Sequence, residues 1–237
     1  MRKNIAYLVV AVISLLVSPA CRKKSSSNTQ ACQIITVTDH EPAGTATVNL
    51  TYNNQGQVLT KQILTSSDTI SMVFTYSGNT EIVQTSGPGL AITDSMNLNS
   101  DGQTVTDYES DGTITYLTTN TYSGTELQTS VFTYSGGSTT TTYSWTNGDM
   151  TSSVSGSTTT IYSYNTNASE VGDYWWTIQL INFGGDLIRT KHQLASYQSA
   201  STIHNLSYTY DNTGKITGLT NSFGSSVDTV SYRYSCK

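Results

Sequence analysis

The chain is poor in basic residues, which argues against a nucleic-acid partner, and poor in proline, which argues against frequent interruption of β-strands. Of its 237 residues only 11 are Lys or Arg, and between Lys24 and Arg189 the only basic side chain is Lys61. A protein with so few cations and a net charge of −5 repels a phosphate backbone, so we expect no nucleic-acid partner. Past the first 20 residues the only prolines are Pro42 and Pro88, which leaves long stretches free to form β-strands.

Local motifs of common active sites are also missing. The chain has no Gly-x-Ser-x-Gly elbow, no His-Glu-x-x-His pair and no phosphate-binding loop. The three histidines, His40, His192 and His204, are too scattered along the chain to indicate a metal site. Serine is abundant, so composition leaves a Ser/His/Asp arrangement open, but no serine stands in a strained turn of small residues. We therefore expect no catalysis, no cofactor and no bound metal.

The first 20 residues have the three parts of a secretory signal peptide. Arg2 and Lys3 precede an apolar run over residues 6–17, which is short for a membrane span, and small residues with a cysteine follow, Ser18-Pro19-Ala20-Cys21. The alternative is an anchor helix that is retained. Removal of residues 1–20 takes away two of the 11 basic residues and leaves nine against 16 acidic ones, a net charge of −7.

Cys21 directly after Ala20 resembles the lipidation cysteine of bacterial lipoproteins. The resemblance implies cleavage before Cys21, lipid attachment there, and a cell-envelope protein held by an outer-membrane lipid anchor. An ordinary secreted protein with a free Cys21 is the alternative. The polar composition of residues 21–31 predicts a flexible tether, and we expect Arg22-Lys23-Lys24 next to the lipid, where cations favour anionic headgroups. The tether start is also similar to that of Bacteroidota lipoproteins; without an acidic patch after the cysteine, the periplasmic and the surface face both remain open.

Two cysteines remain, Cys32 and Cys236, at opposite ends of the predicted folded domain, residues 32–237. An exported chain folds in an oxidising compartment, so a Cys32–Cys236 disulfide is the economical prediction, with two unpaired thiols as the alternative.

The rest of the chain alternates apolar and polar residues with period 2. Tyr208-Thr209-Tyr210 leads to Asp211-Asn212-Thr213-Gly214, which is a strand, a tight turn and the start of a second strand. Fainter copies recur roughly every 23 residues, which indicates one hairpin per repeat. The 16 tyrosines need burial, so the pattern favours an ordered sheet over disorder.

These repeats predict an all-β fold, a long antiparallel meander of about fourteen to sixteen strands. A sheet beyond about ten strands curls or splits, so we expect a curled or partly closed sheet with its apolar face inside. Residues 168–204 depart from the pattern and predict an irregular insert. Within it, residues 187–194 are the best candidate for a short helix or a loop plug. No window of the chain shows convincing helical spacing.

The hairpin at Tyr208–Ile216 resembles the YD repeat of Rhs-type and teneurin-type shells. The region from Tyr162 to Cys236 is similar to a Bacteroidota lipoprotein family of unknown function, the DUF4595-like group, in its YxY strand, its insert, its YxYDxxGxI hairpin and its final Tyr232-Arg-Tyr-Ser-Cys236. The resemblance implies a β-sheet protein of the cell envelope and carries no activity.

Two groups of residues are candidate sites. Asp107, Glu109 and Asp111 alternate on one strand; such a row can bind a hard cation but more often forms a solvated sheet edge that deters pairing. Tyr174, Trp175 and Trp176 can stack on a sugar, or can simply pack in the core. The sequence thus predicts a structural or interaction role with an envelope partner, and a glycan- or small-ligand-binding lipoprotein as the alternative.

Overall fold

The structure is a computed structural model and describes residues 32–41, 44–181 and 187–236. The predicted signal peptide, Cys21 and the tether lie outside the described residues. The described part folds into sixteen antiparallel strands and one helix. The elements are β1 Cys32–Glu41, β2 Gly44–Tyr52, β3 Val58–Leu64, β4 Thr69–Ser77, β5 Thr80–Gly87, β6 Leu90–Leu98, β7 Thr104–Ser110, β8 Thr115–Ser123, β9 Glu126–Tyr134, β10 Gly137–Thr146, β11 Asp149–Ser155, β12 Thr158–Ala168, α1 Tyr174–Ile181, β13 His192–Ser199, β14 Thr202–Tyr210, β15 Ile216–Phe223 and β16 Ser226–Cys236.

The meander is confirmed, and its closure is complete. Each strand pairs with the next along the chain, and β1 pairs with β16, so the sheet is a closed barrel. The sequence predicted a sheet that is curled or only partly closed, whereas the sheet is fully closed. At the seam Cys32 lies opposite Cys236, and the two form the predicted disulfide. Closure pairs the backbone groups of both terminal strands, which would otherwise be exposed edges.

The two mouths of the barrel differ, and we name them by their residues. The tether end carries the Cys32–Cys236 disulfide and the turns at residues 53–57, 99–103 and 211–215. The distal end carries the turns at residues 65–68, 111–114, 156–157, 200–201 and 224–225. Because the chain enters the barrel at Cys32, the preceding residues, with Cys21 among them, join it at the tether end.

Three turns at the tether end share one hydrogen-bond pattern that explains the repeat. In Asp211–Lys215 the Asp211 carboxylate accepts from the backbone N–H groups of Thr213 and Lys215, and Gly214 N–H donates to the Asp211 carbonyl. Gly214 has a φ of +84°, which only glycine adopts without strain. The turns at residues 53–57 and 99–103 repeat these bonds with Asn in the first position. The YD-like motif thus forms a tight turn that reverses the direction of the chain.

A second recurring bond joins neighbouring strands at the tether end. The Tyr76 hydroxyl donates to the Val58 carbonyl at 2.9 Å, and the Tyr234 hydroxyl donates to the Ile216 carbonyl at 2.7 Å. The same bond is made by Tyr52, Tyr122, Trp145 and Tyr208. Each half-buried ring therefore keeps its polar atom satisfied while its apolar body packs inward. The spacing of the aromatic residues in the sequence reflects this role.

The irregular insert is shorter than predicted and holds a helix in a different place. Helix α1 spans Tyr174–Ile181, whereas residues 187–191 are irregular and β13 already begins at His192. The helical alternative for residues 187–194 was therefore wrong, residues 187–191 form a loop, and no helix was expected at Tyr174–Ile181. Because six of the eight residues of α1 are apolar and only Thr177 and Gln179 interrupt them, its sequence shows no clear amphipathic period.

Inward and outward faces have opposite compositions. The inner face holds the hydrophobic core, which includes Val37, Val48, Met72, Phe74 and Val83, all at most 5% exposed. The outer face carries mainly small polar side chains. Several of them form hydrogen bonds between neighbouring strands, as in the Thr51–Thr60 and Thr121–Thr129 hydroxyl pairs, both at 2.6 Å. Apolar residues are scattered on this outer face: Val73, Ile82, Tyr108, Leu117, Val154, Ile161, Ile203 and Val227.

Candidate functional site inside the barrel

Helix α1 begins at a buried aspartate that caps it. The Asp173 carboxylate accepts from the backbone N–H of Trp176 at 2.9 Å and from that of Glu170 at 3.1 Å, and the Ser169 hydroxyl donates to it as well. An N-cap carboxylate satisfies helix N–H groups that have no partner within the helix. Burial raises the pKa of Asp173 even though these donors oppose the effect. The cap fixes the point at which the chain turns into the barrel.

The aromatic trio proposed for ligand stacking lies on this helix. Trp175 is 8% exposed and packs against Tyr162 at 5.4 Å between ring centroids. Tyr174 packs against Tyr197 at 5.4 Å, and Trp176 meets Tyr232 edge-on at 6.2 Å. The helix thus fills part of the barrel interior with rings that contact the inner wall.

A buried lysine holds the other end of the helix. Lys61 on β3 is 1% exposed, and its Nζ donates to the Leu180 carbonyl at 2.6 Å. A cation at a helix C-terminus meets the negative end of the helix dipole and a carbonyl with no partner within the helix. Burial nevertheless lowers the pKa of Lys61 to about 7. The helix is therefore fixed to the wall near its end by Lys61 and nearer its start by the bond between the Thr177 and Tyr232 hydroxyls.

Beside the helix, strands β5 to β8 carry polar side chains on the inner face. We call Thr85, Asp94, Asp107, Glu109 and Asn120 the acidic wall; each is at most 4% exposed. Asp94 and Glu109 lie directly opposite each other on β6 and β7. One side-chain oxygen of each of the five has no hydrogen-bond partner among the described residues. A buried oxygen without a hydrogen-bond partner lowers the free energy of unfolding, so the acidic wall destabilises this part of the interior.

Burial raises the pKa of each carboxyl group in the acidic wall. It raises the pKa of Asp94 to about 7 and that of Glu109 to about 8, and Asp94 and other nearby carboxylates add to the effect on Glu109. The pKa of Asp107 is raised well above its ordinary value by burial and by the neighbouring charges of Asp94 and Glu109. A neutral acid costs less to bury than a carboxylate. Near neutral pH the wall therefore sits close to its titration point.

This arrangement corrects the sequence reading of Asp107, Glu109 and Asp111 as one solvated row. A closed barrel has no sheet edge here, and Asp107 and Glu109 point inward. Asp111 lies in the exposed turn after β7, where hydrogen bonds from the Ile114 and Thr113 backbone lower its pKa. The sequence did contain a signal, since Asp94 and Met96, like Glu81 and Val83, share the phase of the buried apolar residues.

On strands β12 to β15, four rings form a continuous row on the inner face. The register places Tyr162, Tyr197, His204 and Phe223 side by side on β12 to β15. Tyr197 and His204 stack at 4.2 Å between centroids and 8° between planes, and His204 and Phe223 at 4.7 Å. We call these four residues the aromatic row. All four keep part of their surface exposed.

Small hydroxyl side chains line the inner face next to this row. By register with the aromatic row, the inner positions of β9 to β13 include Ser130, Thr141, Ser153, Thr160 and Ser199. These five, the hydroxyl wall, also keep part of their surface exposed. A side chain that points into a closed barrel reaches solvent only through the lumen, so the lumen is open in this part.

The three histidines lie apart in the structure, as the sequence suggested. His40 is at the distal end beside Thr45, His192 is bonded to Asp149 at 2.6 Å at the tether end, and His204 is in the aromatic row. Within the described residues no group of three or more His, Cys, Asp or Glu side chains is arranged to hold a metal ion.

No helix in the described part of the chain is long and apolar enough to cross a bilayer.

The chain shares its fold with porin-like proteins of Bacteroides. A crystal structure of a porin-like protein from Bacteroides uniformis matches with a TM-score of 0.63 at 13% identity, over 85% of this chain and 96% of the other. One from Bacteroides vulgatus matches with a TM-score of 0.59 at 12% identity, over 85% of this chain and 98% of the other. Such low identities establish the barrel fold alone.

No family model matches the chain, and no curated protein matches it. The similarity to the DUF4595-like group and to YD-repeat shells therefore stays a prediction.

Proposed function

We propose that the protein is a non-catalytic β-barrel of the bacterial cell envelope, held at the outer membrane by a lipid on Cys21 and lying in water beside the bilayer. It serves a structural or interaction role there, and Bacteroidota are its expected source. The porin-like fold supports an envelope location. The motif-free sequence and the scattered histidines support the absence of catalysis.

The observation that carries this proposal is the outer face. A barrel that spans a bilayer presents an outward apolar band of roughly 25 Å flanked by aromatic residues. Here the outer row that crosses β5 to β10 holds hydroxyl or amide groups at five of its six positions, Thr80, Asn97, Thr106, Thr119 and Thr140, and one apolar residue, Val131. Asn97 Nδ2 donates to Thr106 Oγ1 at 2.9 Å on this face. Hydrocarbon cannot solvate such groups, whereas water can.

The Cys21 anchor is tested by fractionation of the full-length protein expressed in a lipoprotein-processing bacterium. We expect the protein in the membrane pellet, incorporation of labelled palmitate, and loss of both on Cys21→Ala. The Ser25→Ala variant alters the same tether without removing the thiol and serves as the matched control. A Cys21→Ala protein that has lost residues 1–20, as its mass shows, and yet stays in the membrane pellet after alkaline carbonate washing would mean that the barrel itself is embedded, and the proposal would fail.

A further inference from the structure

We propose that the distal half of the lumen binds a short neutral oligosaccharide. The site is formed by the aromatic row, Tyr162, Tyr197, His204 and Phe223, together with the hydroxyl wall of β9 to β13. The inference goes beyond the tethered structural role and is independent of the lipid anchor. It also moves the site away from the helix trio Tyr174–Trp176 that the sequence suggested.

The aromatic row supplies the apolar part of the site. Pyranose rings have C–H-rich faces that pack on aromatic side chains. Because His204 is stacked between Tyr197 and Phe223, the row offers a sugar its ring edges and the face of Phe223 that is turned away from His204. Phe223 lies at one end of the row, and Tyr162 lies at the other, where its hydroxyl bonds to Ser153 at 2.9 Å. Mutual stacking of Tyr197, His204 and Phe223 holds the row in place before a ligand arrives, so little side-chain entropy is lost on binding.

Hydroxyl groups supply the polar part. Ser and Thr hydroxyls both donate and accept, which matches the hydroxyl groups of a sugar. Thr160 Oγ1 on β12 and Ser199 Oγ on β13 lie 3.3 Å apart. Each is two residues along its strand from a ring of the aromatic row, Thr160 from Tyr162 and Ser199 from Tyr197. His204 Nδ1 lies 3.2 Å from the Asn221 amide oxygen, which orients the imidazole in the row. The polar groups therefore converge on the same side of the barrel as the rings.

Helix α1 gives the site a floor. Tyr174 contacts Tyr197 and Trp175 contacts Tyr162 from the tether side, so the lumen is filled below the row. The Trp175 ring is 8% exposed, which places it beneath the site as support for the row. A ligand therefore enters from the distal end and does not pass through the barrel.

Charge at the distal end selects against anionic sugars. Asp39, Glu41 and Asp228 lie at the distal ends of β1 and β16, and burial with repulsion from Glu41 and Asp228 raises the pKa of Asp39 to about 6. No Lys or Arg occurs in the described turns of this end. A mouth lined with one sign of charge lowers the local concentration of ligands of that sign. A neutral chain enters without this barrier.

The test uses purified full-length protein in detergent and panels of short cello-, malto-, xylo- and manno-oligosaccharides, with uronate and sulfated chains for comparison. We expect at least one neutral series to bind with a Kd below about 1 mM and the anionic chains to bind more weakly. If no neutral series reaches that affinity, or if anionic chains bind best, the inference is wrong. Either result leaves the Cys21 fractionation experiment unaffected, so the two proposals fail separately.

Paired variants locate the binding. Phe223→Ala removes an inward ring and should weaken binding about tenfold or more, whereas Ser222→Ala changes the adjacent outward residue and should leave it unchanged. Thr160→Val keeps the shape and removes one inward hydroxyl, with an expected loss of several-fold; Thr159→Val is its outward control. Because Thr160→Val leaves the side-chain volume nearly the same, it stays informative if Phe223→Ala does not fold. Equal losses in inward and outward variants would overturn the assignment.

Discussion

The acidic wall predicts that the barrel loses stability as the pH rises through neutrality. Asp94, Asp107 and Glu109 are buried and hold their protons in the folded chain to a higher pH than in the unfolded chain. Stability from such groups is fully present below their unfolded pKa values and is lost as the pH rises through the folded values. With folded pKa values of about 7 for Asp94 and about 8 for Glu109, the loss falls mainly between about pH 5 and pH 8.

The size of the effect follows from the same pKa values. One unit of pKa difference between the folded and unfolded chain is worth about 1.4 kcal/mol, and Asp94 rises from 3.8 to about 7. On its own this gives a loss of about 4 kcal/mol for Asp94. Because water can enter once one carboxylate ionises, we expect a total nearer about 3–5 kcal/mol. Lys61 has the opposite effect, because burial lowers its pKa in the folded chain. Above about pH 7 its contribution to the free energy of unfolding therefore increases as the pH rises.

The assay is urea unfolding of the full-length protein at steps from about pH 5 to pH 8.5. The double variant Asp94→Asn, Glu109→Gln should flatten the dependence, because an amide cannot ionise. Asp111→Asn is the matched control, since Asp111 is exposed with a lowered pKa and its contribution is lost only in acid. A free energy of unfolding that is constant or rising between about pH 5 and pH 8, or an unchanged slope in the double variant, would refute the reasoning.

Three further predictions concern the seam, the outer face and the turns. Reduction or replacement of Cys32 and Cys236, which are 204 residues apart, should cost about 4–5 kcal/mol in the chain-entropy picture, read from urea midpoints; an unchanged midpoint would contradict it. A cysteine at outward Thr119 should react fast with a water-soluble maleimide in cells after outer-membrane permeabilisation, whereas one at buried Val83 should not; protection of both would favour an embedded barrel. Gly214→Ala should lower stability by about 1 kcal/mol because φ is +84° there, and a neutral thermal unfolding result would dispute the turn assignment.

The local pattern predicted most of the meander because strand pairing here is between chain neighbours. Period-2 alternation with a polar reversal every dozen or so residues specifies hairpins without long-range information. The turn at Asp211–Gly214 could be read from the sequence for the same reason, since its hydrogen bonds lie within five residues. The Cys32–Cys236 disulfide was also predictable, because exported chains with two remaining cysteines usually pair them.

Other features depend on contacts that no local window contains. Helix α1 is short, and apolar residues occupy six of its eight positions, so its type is decided by the barrel that surrounds it. Asp107 and Glu109 looked like a solvated edge because their strand alone does not show which face is inside. The aromatic row joins Tyr162, Tyr197, His204 and Phe223 from four strands, and the register that aligns them is set by the pairing of whole hairpins.

The sequence by itself determined a chain of hairpins with one apolar face, because alternation and turn chemistry act over a few residues. The tertiary structure decided that β1 meets β16, that a helix enters the interior, and that acidic and aromatic side chains meet on the inner wall. Closure is a property of all sixteen strands together, since the tilt and stagger of each strand must sum around the barrel before the ends can pair. The direction in which a polar residue points, and therefore its pKa, is settled only at that step.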